Sequence, residues 1–129
     1  MTACLLDTNA FSGLITRDPR LSEATVSFVQ GSSRVLLSAV TFYEIGQKVR
    51  LGKWPAMEGY VSELDGIAEA DGHEIVALTS GLALRASLLD WTHRDPFDRM
   101  IAATALRERV PLVSADPAFD AVGVERVWG

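Results

Sequence analysis

The chain is poor in the residues that mark several common chemistries. Its 129 residues include one cysteine, Cys4, and two histidines. A single thiol excludes an internal disulfide, and one thiol with two imidazoles falls short of a four-ligand structural zinc site. Cys4 lies in an apolar run and reads as inert core packing, which fits a cytoplasmic protein. No apolar stretch approaches the roughly 20 residues needed to span a bilayer. The opening "MTACLLDTNAF" has no basic segment ahead of its short apolar run, so a secretory signal is not expected. Positive charge is scarce as well, with 12 Lys and Arg against 17 Asp and Glu and a net charge of −5. That balance excludes nucleic-acid binding by bulk attraction. It leaves open a nucleic-acid enzyme whose acidic centre is neutralised by a divalent metal. The chain also lacks a Walker-type phosphate loop, a dinucleotide-binding glycine fingerprint, an H-E-x-x-H pair and a G-x-S-x-G elbow.

What is present describes an ordinary globular chain, 48% hydrophobic and 22% charged. Its length favours one domain, residues 1–129, with a real core. Short apolar runs read as buried strands: "ACLL", "RVLLSAV", "HEIVAL", "VPLVSAD" and "VERVW". Helical spacing falls between them. It is seen after "DTN" in "AFSGLI", in "LSEATVSF", in "TFYEIGQKVRL", and at Met57, Tyr60, Val61, Leu64 and Ile67. Two further helices are expected, one after a Thr79 cap and one after Asp95. Strands alternating with helices predict an α/β fold with a mainly parallel sheet covered on both faces. Such sheets bind ligands beyond the carboxyl ends of their strands.

The acidic residues fall at that edge. Asp7 follows the first strand and Asp116 the fourth. Glu44 is expected in the first turn of the helix after the second strand, and Asp98 in the first turn of the helix after Asp95. Each has a purely structural reading. "TFYE" resembles a capping box of Thr41 with Glu44, and Asp7, Asp95 and Asp116 all suit helix caps. Acids also favour helix N-termini through the macrodipole. Together, however, four converging carboxylates repel one another. Two unit charges about 5 Å apart at an effective dielectric near 20 cost on the order of 3 kcal/mol. A cation filling the site removes that cost, and Mg²⁺ and Mn²⁺ accept hard oxygen ligands.

The segments "LLDTNAF", "SAVTFYEIGQKVRLGK", "HRDPFDRMIAATAL" and "PLVSADPAF" stand in an order that resembles PIN-domain ribonucleases, most closely the VapC toxins of bacterial toxin–antitoxin pairs. The resemblance extends across almost the whole chain. It implies a compact three-layer α/β fold and Mg²⁺- or Mn²⁺-dependent RNA cleavage leaving a 5′-phosphate and a 3′-hydroxyl. It also implies a cognate VapB-like antitoxin, a homodimer and a toxin–antitoxin hetero-oligomer. The acidic roles pass to Asp7, Glu44, Asp98 and Asp116, with Asp7 and Asp98 as direct metal ligands and the other two acting directly or through water.

Around this centre, Thr8, Asn9 and Ser114 are candidates to orient a ligand or water, with turn and cap chemistry as the alternative. Asp95 reads as a helix cap that supports the site. Lys48, Arg50 and Lys53, with Trp54 beside them, form a possible RNA path or a solvated helix face. Arg99 can meet phosphate or a structural acid. His93 reads as a polar contact at the helix entrance. The rival in another class is a non-catalytic binding or regulatory module using the same acidic edge.

Overall fold

The computed structural model describes residues 2–129. Five strands form one sheet: β1 (Ala3–Leu6), β2 (Arg34–Ser38), β3 (Glu74–Val76), β4 (Leu112–Val113) and β5 (Arg126–Val127). Their order is β3-β2-β1-β4-β5, and all four pairings are parallel. The helices are α1 (Thr8–Thr16), α2 (Glu23–Gln30), α3 (Ala39–Arg50), α4 (Leu64–Ala70), α5 (Ser80–Ser87) and α6 (Pro96–Glu108).

Period-two alternation along the strands divides the core between the two sheet faces. Cys4, Leu6, Leu37 and Val113 join Phe11, Val29, Ile45 and Ala68 on one face. Leu5, Leu36 and Leu112 join Ile101, Ala102, Ala105 and Phe119 on the other. The result is the expected layering of helices on both sides of a parallel sheet. Cys4 is fully buried and unpaired.

Two local expectations are corrected. The second strand does not run to Val40. It stops at Ser38, whose hydroxyl accepts from the Val40 N–H and caps α3. Glu44 therefore stands in the second turn of α3, and Thr41 does not form a capping box with it. The segment from Met57 to Ile67 is not one helix. It is two 3-10 turns, Pro55–Met57 and Val61–Glu63, followed by the short α4. Met57 and Leu64 still reach the core. Gly59 between the turns and the absence of a side-chain cap at either turn fit a broken path.

The topology selects one place on the sheet edge. Strand order reverses beside β1, where β4 rather than a sequential neighbour pairs with it. The crevice at the carboxyl ends of β1 and β4 is thus a topological switch point. Leu6 is in register with Val113, and the Asp7 N–H continues the ladder to the Val113 carbonyl at 3.1 Å. Asp7 and Ser114 are consequently neighbours as the two strands end.

Candidate active site

Asp7 leaves β1 in an extended conformation and caps α1, its Oδ1 accepting from the Ala10 N–H at 2.7 Å. It is only 7% exposed. Burial is the main force pushing its carboxyl up from 3.8 to about 6, and the charges of Asp98 and Glu44 push the same way. Hydrogen bonds from the Ser114 hydroxyl and the Ala10 N–H pull in the opposite direction. A buried acid feeling two other acids from different elements is what convergence predicts.

Glu44 enters from α3 and is also buried. Its Oε1 accepts from the Thr8 hydroxyl at 2.6 Å, and the Thr8 and Thr41 hydroxyls lie 3.2 Å apart. Its Oε2 accepts from Lys48 Nζ at 2.7 Å, one helical turn on. Lys48 Nζ also lies 5.4 Å from the centre of the Trp54 ring. Lys48 is therefore engaged with the acidic centre itself, whereas Arg50 and Lys53 are exposed.

Asp98 projects from the first turn of α6. Asp95 caps that helix, with Oδ1 accepting from the Phe97 and Asp98 N–H groups at 2.9 and 3.4 Å. Pro96 occupies the position where a missing N–H costs nothing. Asp98 Oδ2 lies 2.7 Å from His93 Nε2. Burial raises the Asp98 carboxyl above its usual range, opposed by the His93 hydrogen bond and assisted by the charges of Asp95 and Glu44.

The remaining candidates sit at the rim or behind the site. Ser114 is fully buried, and its Oγ accepts from the Asp116 N–H at 3.1 Å. Asp116 is exposed and uses Oδ1 to cap the 3-10 turn Pro117–Val122 through the Ala118 N–H. It stands at the same sheet edge but further out than buried Asp7 and Glu44 and half-buried Asp98. Asn9 is exposed on the first turn of α1.

Arg99 has a different use from a phosphate or carboxylate contact. Nε donates to Ala86, Nη1 to Trp91 and His93, and Nη2 to Ser87 and Leu89, in each case to the backbone carbonyl. These five bonds occupy all five N–H groups of a guanidinium. Carbonyls in the last turn of α5 and in the loop after it need donors, and one arginine provides them. This clamp was not legible in the sequence, where the only signal was the nearness of Arg99 to "DPFD"; the polar contact expected of His93 at the helix entrance is made with Asp98.

The donor chemistry fits a hard divalent cation. Asp7, Glu44 and Asp98 offer carboxylate oxygens whose mutual charge is unfavourable, although among the described residues these three do not form a group with ligand atoms all within 4.8 Å of one another. A second, tighter grouping combines His93, Asp95 and Asp98, with one ligand atom from each lying within 4.8 Å of the others. Asp98 belongs to both.

Comparison with known proteins agrees with the fold. The PIN domain family profile matches residues 4–125. None of the curated proteins matches the chain significantly in sequence. Among solved structures, VapBC2 from Rickettsia felis, bound to a DNA fragment from their promoter, has a chain with a TM-score of 0.71 and 17% identity, with 99% of this chain and 100% of that one covered. DNA-bound VapBC from Salmonella typhimurium gives 0.68 and 20% identity, covering 98% of each chain. FitAcB from Neisseria gonorrhoeae gives 0.61 and 22% identity, covering 95% of each. At such identities the likeness is one of fold.

Proposed function

Since the chain belongs to the PIN domain family, we propose that it is a VapC-type toxin acting as a divalent-metal-dependent endoribonuclease, with the whole chain as one domain. The observation that carries this reading is the convergence of buried Asp7 and Glu44 with half-buried Asp98 at the topological switch point, close enough for each of Asp7 and Asp98 to feel the charge of Glu44. Three separate elements deliver them, and Asp7 is held near pH 6 by burial and by the other two acids. Capping alone explains Asp7 and Asp95, but it gives no reason for a buried Glu44 beside them.

The proposed cofactor is Mg²⁺ or Mn²⁺, held by Asp7 and Asp98, with Glu44 and Asp116 assisting directly or through water. When bound, such an ion supplies Lewis-acid stabilisation for the charge that builds on a phosphodiester under attack. The protein's part is positional. The Ser114 hydroxyl and Ala10 N–H fix the Asp7 carboxylate. Thr8 and Lys48 fix the two oxygens of Glu44, and α6 with its Asp95 cap fixes Asp98. Arg50 and Lys53, exposed near Trp54, provide cationic and stacking contacts for single-stranded RNA. Asp116, at the rim, is suited to a water or an incoming phosphodiester more than to the buried core of the site. The products are a 5′-phosphate and a 3′-hydroxyl.

The proposed partner is a VapB-like antitoxin, in keeping with the toxin–antitoxin complexes among the structural neighbours; homodimerisation and a hetero-oligomer with the antitoxin complete the proposed assembly. No helix among the described residues is long and apolar enough to cross a membrane. The deciding experiment is cleavage of RNA by the purified chain with Mg²⁺ or Mn²⁺, with EDTA, and with Asp98→Asn. Cleavage that EDTA abolishes, that metal restores and that the variant loses by orders of magnitude supports the proposal. Metal-independent cleavage, or undiminished cleavage by well-folded Asp98→Asn, overturns it.

A further inference from the structure

The donor atoms that lie closest together include a nitrogen. His93 Nε2 is 2.7 Å from Asp98 Oδ2, and an Asp95 oxygen completes a grouping no wider than 4.8 Å. Resting on the metal-dependent reading of this centre, we infer that His93 is a metal ligand, sharing an ion with Asp98 and giving the site a preference for Mn²⁺ over Mg²⁺.

The imidazole is mounted for such a role. Its ring lies against Trp91, with centroids 4.7 Å apart and planes 32° apart. Trp91 in turn packs on the buried Phe119 at 5.6 Å. Arg99 donates to the carbonyls of both Trp91 and His93, and Arg99 is the residue next to Asp98 on α6. Imidazole and carboxylate are therefore carried by one tied unit. Little ordering remains to be done when a ligand arrives.

The spacing is close to a chelating bite. Two donors in adjacent positions around an octahedral ion with bonds near 2.1 Å lie about 3.0 Å apart. The pair opens by roughly 0.3 Å when an ion replaces the proton it shares. Asp95 caps α6 through Oδ1, which leaves its second oxygen to approach the same ion or a water on it. Chemistry then sets the preference. Mg²⁺ is hard, takes oxygen and retains its waters, whereas an imidazole suits first-row transition ions. A ligand set of oxygens alone discriminates less between the two ions.

The test uses the whole RNA-free protein, stripped with EDTA and titrated with Mn²⁺. Loss of the free-ion electron paramagnetic resonance signal gives Kd, and electron spin echo modulation detects ¹⁴N of an imidazole bound to the ion. Wild type is expected to show that coupling, and His93→Ala to lose it, with Mn²⁺ binding weakened by roughly tenfold or more and Mg²⁺ binding, measured by calorimetry, changed far less. His93→Gln keeps a hydrogen-bond partner for Asp98 without an imidazole, so it should fold as wild type and lose the coupling too. The other histidine, His73, precedes β3 at the opposite edge of the sheet, and its Nδ1 is sealed without a partner. Bound Mn²⁺ without ¹⁴N coupling, or coupling that survives in His93→Gln, overturns the inference while leaving a metal centre of oxygens intact. Failure of wild type to bind either ion overturns the metal-dependent reading as well.

Discussion

Replacing Asp7 with asparagine tests the acidic centre through stability, independently of any substrate. The Asp7 carboxyl rises from 3.8 to about 6 on folding. At 1.36 kcal/mol per unit, keeping it ionised in the folded chain costs about 3 kcal/mol. The sign follows from proton binding. The folded protein holds this proton more tightly than the unfolded chain, so the penalty is complete above pH 6, shrinks as the pH falls, and vanishes below about pH 3.8. Asparagine removes the charge and keeps an oxygen for the Ala10 N–H, since Asn and Asp cap helices about equally well. Its amide must still be accommodated beside Ser114, which already accepts from Asp116. The net gain is therefore about 1–3 kcal/mol, a rise of several degrees in Tm for a chain of this size. Thermal melts in EDTA at pH 7.5 should show Asp7→Asn above wild type, with the gap closing by pH 4. Excess Mn²⁺ should reverse the order, because an ion at 100 times its Kd stabilises the binding-competent protein by about 2.7 kcal/mol. A variant that melts below wild type in EDTA at pH 7.5, or a gap that does not depend on pH, would refute the claim that Asp7 is charged at the expense of the fold.

Lys48→Met should lower Tm in EDTA by an amount on the order of 1 kcal/mol, since it leaves buried Glu44 without its cation. Added Mn²⁺ should recover most of that loss in the same melt. Arg99→Lys replaces five donors with at most three and should cost about 1–3 kcal/mol; hydrogen exchange should accelerate across residues 87–93 and little elsewhere. Expression with the neighbouring small reading frame should yield a copurifying complex with suppressed RNA cleavage. Full activity in that complex would remove the antitoxin assignment.

The fold was legible because each of its signals is local. Five short apolar runs coincide with five strands, and alternation within them separates Leu5 and Leu36 from Leu6 and Leu37 on opposite faces. The cap at Asp95 followed by Pro96 is equally local. Errors came where two local signals competed. "SAVTFYE" offers both a Ser38 cap and a Thr41 capping box, and the Ser38 cap holds because starting α3 earlier turns Thr41 toward Thr8 and buries Glu44. The positions of Asp7 and Asp98 could be read from the strand and helix they adjoin. His93 could be read as a polar contact at the helix entrance, but the use of Arg99 could not. Arg99 acts on carbonyls 6 to 13 residues away, in the last turn of α5 and the aperiodic loop after it, and nothing in the spacing of "HRDPFDR" distinguishes a clamp from an ion pair.

The contacts around the three acids also explain how the fold tolerates them without an ion. Glu44 has a cation of its own in Lys48, and Asp98 has a hydrogen bond with the His93 imidazole. Asp7 has only neutral donors, the Ala10 N–H and the Ser114 hydroxyl. Compensation is thus uneven, and the acid with only neutral donors lies directly beyond the central strand. A cation entering the site gains most at Asp7, where no internal partner has to be displaced, and must compete with Lys48 for Glu44, whereas at Asp98 the His93 imidazole shares the ion. Metal binding should consequently depend more steeply on Asp7 than on Glu44. Glu44→Gln, which retains the Thr8 contact, is expected to weaken Mn²⁺ less than Asp7→Asn does in the same titration. The reverse ranking would mean that Lys48 yields its place readily and that Glu44, not Asp7, anchors the ion.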